Sequence, residues 1–150
     1  MSDPGDRLRR YRVVEWLVVL ASTYDEQAAY IRPSQEAALP DIWPFMVLDD
    51  WLNEGVDWTA ISDERGALSP EIVSATAALT EAVESIIQES DDTYDKTGVS
   101  LLTPQAVRDD SRWEQIRLLA RTALKAYRDL GIPTPKLSDT DFNTPRDDAP

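Results

Sequence analysis

The chain has 150 residues, enough for one domain that buries about 70% of its unfolded surface. Its 42% hydrophobic and 29% charged residues exclude wholesale disorder. Cysteine and histidine are both absent and the net charge is −13, which excludes disulfides, thiolate nucleophiles, Cys/His zinc sites and the imidazole base of a serine triad, and argues against a direct nucleic-acid partner.

Arg7, Arg9, Arg10 and Arg12 precede an apolar run from Val13 to Ala21. This imitates a signal peptide, but Glu15 interrupts the run and Asp3 and Asp6 dilute its basic start. The run falls well short of the ~20 apolar residues that span a membrane. A helix over 6–21, apolar on nearly all sides, is the expected central element of a bundle in a cytoplasmic protein. Thr23 and Glu26 form a capping box that carries helix to about Arg32, where Pro33 stops it. Residues 41–54 predict a second helix, with Pro44 in its first turn and Gly55 as its C-cap. Phe45, Leu48 and Leu52 form its expected core stripe. Asp57 is placed to cap a short turn through Trp58 and Ile61, and Gly66 breaks the chain again.

Ser69-Pro70-Glu71 is a strong helix start: a serine cap, proline in the first turn and an acid near the helix dipole's positive end. The helix runs from 70 to about 90, with Ile72, Leu79, Val83 and Ile86 on one face and Glu81, Glu84 and Gln88 opposite. Residues 91–103 read as a polar loop, in which Val99–Leu102 is the only stretch suited to strand pairing. Thr103-Pro104 opens a short helix. Ser111 and Glu114 form a capping box for the last long one, where Trp113, Ile116, Ala120, Ala123, Tyr127 and Leu130 keep the helical period. Gly131-Ile132-Pro133 ends it. The expectation is an all-α helical bundle of four or five main helices with short connections, one domain over 1–132, and a loose, flexible Pro/Asp-rich C-terminal tail over 133–150. Leu17, Leu20, Leu48, Leu52, Leu79, Val83, Ile86, Ile116 and Leu119 are its predicted core.

Charge is distributed unevenly. Residues 33–95 hold fifteen acids and a single base, Arg65, while the stretches on either side balance to within one charge. Such a concentration repels itself in the compact state and would steer a basic partner. Trp43, Val47, Asp50 and Glu54 recur at helical spacing, a tryptophan beside carboxylates as at an interface anchor. The stretch Glu89 to Asp95 repeats the theme with Tyr94 among acids. Expected partner-binding residues are therefore Trp43, Asp49, Asp50, Glu54, Asp57, Asp91, Asp92, Tyr94 and Asp95. The basic stripe Arg117, Arg121, Lys125 and Arg128 on the last helix could match part of this charge from within.

Motifs for catalysis are weak. Asp91-Asp92-Thr93-Tyr94-Asp95 matches DDxxD literally, but without a second acidic motif or nearby phosphate-binding bases. As an EF-hand loop it fails, with Lys96 where glycine must turn and Leu102 where a bidentate glutamate belongs. Glu81, Glu84 and Asp92 share a stripe that could hold magnesium in an all-α hydrolase acting on a phosphorylated substrate. No residue is assigned a catalytic or metal-binding role, and no cofactor is expected. The profile (small, acidic, without nucleophile or imidazole) resembles that of bacterial immunity proteins, a likeness of composition and charge. It implies an acidic binding protein that occludes a basic protein partner, a toxin domain of nuclease type, without nucleic acid or membrane. A DNA-mimicking anti-restriction protein and a secretion chaperone share the same physics.

Overall fold

The computed structural model describes residues 4–30, 43–137 and 140. Helix is the only regular structure among them, as the periodicity predicts. α1 spans Pro4–Ala21 and α2 Tyr24–Tyr30. α3 covers 43–64 without interruption: α-helix over Trp43–Asp50, a π-helical segment over Trp51–Gly55, and α-helix again over Val56–Glu64. α4 is Pro70–Thr97, α5 Pro104–Asp109 and α6 Ser111–Asp129. No described helix is long and apolar enough to cross a membrane. The Pro33 stop, the start of the second helix at Asp41, and the tail at 138–139 and 141–150 lie outside the described residues.

α1 is the centre. Every residue from Val13 to Ala21 is buried, Glu15 included, because α3 and α6 both pack against this helix. Arg12 Nη1 donates to Glu15 Oε1 at 2.9 Å, which answers the desolvated carboxylate. Trp16 meets Trp58 of α3 edge-on, with ring centroids 5.6 Å apart. The break at Ser22–Thr23 is held as expected: Glu26 N donates to Thr23 Oγ1 and Thr23 N to Glu26 Oε1. Gln27 is buried beyond it and donates to the Val19 carbonyl at 2.6 Å.

α4 lies along α6, the most extensive helix pairing among the described residues. Its buried stripe is Ile72, Thr76, Leu79, Val83, Ile86 and Ser90, alternating steps of four and three, the spacing of a helix–helix seam. Ser69 caps it by accepting from Ile72 N. The predicted loop from 91 is instead two further turns of this helix, which ends at Gly98 with φ +75°, a left-handed cap whose N–H returns to Tyr94 O. Buried Ser90 explains the extension. Its Oγ accepts from Leu101 N at 2.9 Å, and the Leu101 carbonyl accepts from Trp113 Nε1 at 3.0 Å. The end of α4, the following loop and the start of α6 are thereby tied together.

Two further expectations shift. Asp110, not Ser111, is the N-cap of α6 and accepts from Arg112 N at 2.8 Å, while Glu114 pairs with Arg117. The stretch read as the start of a loose tail is partly docked. Leu137 is buried in the main hydrophobic cluster and Thr140 is buried beside it. Upstream, Gly131 and Ile132 donate back to Arg128 and Tyr127 carbonyls, closing α6. Of the predicted core, Leu17, Leu20, Leu48, Leu79, Val83, Ile86 and Ile116 are buried, whereas Leu52 and Leu119 are half-buried.

Candidate functional site

The π segment of α3 lines an apolar groove. Val56 N donates to Trp51 O, a bond one residue longer than the α-helical one. The Trp51 ring lies across Gly55, where a β-carbon would collide with it. Gly55 is therefore not the expected C-cap but the gap that admits the ring, and Asp57 sits inside the helix rather than capping a new turn. Trp51 is fully buried, and its Nε1 donates to Thr80 Oγ1 of α4 at 3.0 Å. Thr80 in turn donates to the Thr76 carbonyl, and Thr76 to the Ile72 carbonyl.

These bonds occupy the polar atoms of the groove floor. The groove lies between α3 and α4, has a volume of about 470 Å³, and runs over Trp51, Val56, Val73 and Ala77. Its titratable lining residues are Asp63, Glu81 and Glu84, all exposed, with no Lys or Arg among the lining. An apolar floor with an acidic rim suits an apolar group flanked by cations.

Thirteen of the fifteen acids between 33 and 95 fall on described residues, all on α3 and α4. Eleven are exposed; Asp49 and Asp50 are half-buried. Glu89 pairs with Arg112, and Asp50 also has a partner. None of the others forms an ion pair among the described residues. The basic stripe of α6 does not reach them. Arg117 is buried on Glu114 and the Val107 carbonyl, Arg121 donates to the Ala21 carbonyl, and Lys125 pairs with Asp129.

The nine predicted site residues form two groups. Asp49, Asp50, Glu54 and Asp57 are on α3. Asp91, Asp92, Tyr94 and Asp95 are on α4, eleven to fifteen residues beyond Thr80, which at ~1.5 Å per residue puts them some 16–22 Å further along the axis. Trp43 opens α3, and its side chain lies outside the described residues. Its stripe mate Val47 is buried, while Phe45, assigned to the core, is 41% exposed. The helix is rotated from the predicted phase because Pro44, Val47, Leu48, Trp51 and Gly55 face inward together. The groove acids belong to neither group: Asp63 is near the end of α3, and Glu81 and Glu84 are midway along α4. The sequence gives no signal for Asp63, and it places Glu81 and Glu84 on the polar face of the helix and in the magnesium stripe with Asp92. That trio does not assemble: Asp92 is ~12 Å along the axis from Glu84 and accepts from Gln88 Nε2. No group of three or more acids among the described residues could hold a metal ion.

Asp91, Asp92 and Asp95 sit in the last two turns of α4, at the negative end of the helix dipole, with Lys96 the only base there. That placement is unfavourable for a carboxylate. Tyr94 stands among them, 59% exposed.

Fold and surface together define an all-α protein with an exposed acidic flank, little of it ion-paired among the described residues, around an apolar groove. Compared with known proteins, the chain matches no family model, no curated protein and no solved structure.

Proposed function

We propose that this protein is an acidic binding module that occludes a basic protein partner through the α3–α4 flank, in the manner of an immunity protein against a secreted toxin. The observation that carries the reading is the gathering of exposed acids, few of them ion-paired, onto two helices, while most other charged side chains among the described residues have a partner. Self-repulsion and an adverse helix dipole oppose that arrangement, so solubility alone is a poor reason for it. A basic partner relieves both, and the field that repels like charge speeds its arrival. Occlusion needs no chemistry from the binding protein, which suits a chain without histidine or cysteine.

The test uses the full chain as bait in its native lysate, beside an Asp91→Lys, Asp92→Lys, Glu81→Lys, Glu84→Lys variant. The expected result is a basic protein held by the parent, released by salt and not retained by the variant. For a toxin, expression of the captured protein alone arrests growth and co-expression with this chain restores it. Retention of the same protein by both baits, or a partner of acidic character, overturns the reading.

A further inference from the structure

We infer that the groove between α3 and α4 receives one amphipathic helix of the partner, with an apolar side chain over Val56, Val73 and Ala77 and Lys or Arg residues on Asp63, Glu81 and Glu84. This rests on the basic-partner reading and assigns it a place and a shape. Two neighbouring helices leave a furrow into which the side-chain ridge of a third can settle. Here the furrow is bordered by the π segment, the kind of distortion that recurs at functional sites. Its walls carry small residues, Ala60 and Ala77, both exposed, so a visiting helix can come close. The hydroxyls of Thr76 and Thr80 are already bonded within the protein, so an apolar visitor leaves no floor group newly unsatisfied.

Charge selects the occupant. A second copy of this chain brings a further −13 and is repelled. The chain's own residues 138–150 carry four acids against Arg146 and are repelled too. A nucleic acid meets carboxylates where it needs cations. A helix with Leu at i, i+3, i+4 and i+7 and Lys elsewhere matches both the apolar floor and the acidic rim.

The experiment titrates such a synthetic Leu/Lys peptide, and its Leu/Glu counterpart, into the isotopically labelled full chain, following backbone amide shifts. The Leu/Lys peptide is expected to move amides over 56–63 and 73–84, and the Leu/Glu peptide to move none. Ala77→Leu fills the groove from an exposed position and leaves the melting temperature unchanged. It should weaken the Leu/Lys peptide about tenfold or more, as should Glu81→Lys with Glu84→Lys. Shifts confined to the Asp91–Asp95 end, or full affinity in Ala77→Leu, overturn the groove while leaving the basic-partner reading intact. Equal binding of both peptides, or no shift with either, overturns the groove. The parent reading falls separately, on capture of the same protein by the charge-reversed bait.

Discussion

The helices α1 and α6 and the helices α3 and α4 treat charge in opposite ways. In the first pair, ionic groups near the core are matched: Glu15 by Arg12, Arg117 by Glu114 and the Val107 carbonyl, Arg121 by the Ala21 carbonyl. In the second, the acids stand outward and mostly unmatched, and three occupy the wrong end of a helix dipole. Paired charge inside is what a stable fold requires, because a desolvated ion without a partner is strongly destabilising. Unpaired like charge outside is not required by folding and works against it. The contrast separates residues that hold the molecule together from residues available to something else.

The largest expected effect falls inside the second region, on the contact that holds its two helices together. Trp51 joins α3 to α4 from within, so Trp51→Ala should cost about 3–5 kcal/mol in a denaturant melt, and Gly55→Ala about 1–3 kcal/mol by forcing the ring aside. Arg12→Ala comes next, at up to about 3 kcal/mol, because it strips a cationic partner from buried Glu15. An unchanged melt there would mean that pairing does not stabilise the core half.

A smaller effect distinguishes burial from pairing. The Tyr127 hydroxyl is buried with no hydrogen-bond partner among the described residues, and burial pushes its ionisation well above the usual tyrosine range, against the nearby charge of Arg10. Unfolded, the phenol ionises near pH 10. Above about that pH the unfolded chain holds fewer protons than the folded one, so stability falls by up to about 1.4 kcal/mol per pH unit. Below it this group contributes no pH dependence. Tyr127→Phe should remove its share of the alkaline loss and add about 1 kcal/mol at neutral pH, read from melts at pH 7 and above pH 10. The smallest effects lie on the acidic flank. Asp91→Asn, Asp92→Asn and Asp95→Asn should each raise stability by about 0.3–1 kcal/mol at low salt, while Glu71→Gln at the opposite end of α4 should lower it by a similar amount. If all four changes act in one direction, the dipole argument fails.

Much of the architecture was legible because caps are local. Ser69, Thr103, the Thr23–Glu26 box and the Gly131–Ile132 stop each act within a few residues, and each stands where the sequence places it. What escaped was set by distant partners. Ser90 is an unremarkable polar residue until Leu101 and Trp113 close over it, and that closure makes helix of a stretch composed like a loop. Gly98, with Lys96 before it, was the overlooked signal of the true end. The buried face of α3 differs from the one its periodicity predicts because the Trp51 ring fixes the helix phase, and Gly55 four residues later leaves it room. The acidity of the flank was plain from composition. The groove was not, since it exists only where Thr76 and Thr80 of α4 meet the widened turn of α3.

The central claim is that the α3–α4 acids steer a basic partner. Its most direct test is the association rate of the captured partner with the full chain by surface plasmon resonance at about 0.01 and 0.15 M salt, where the screening length falls from about 30 to about 8 Å. The account predicts an association rate that drops about tenfold or more across that range, and a parent rate at low salt well above that of Asp91→Lys with Asp92→Lys. An association rate indifferent to salt, with the charge-reversed variant as fast as the parent, would contradict it.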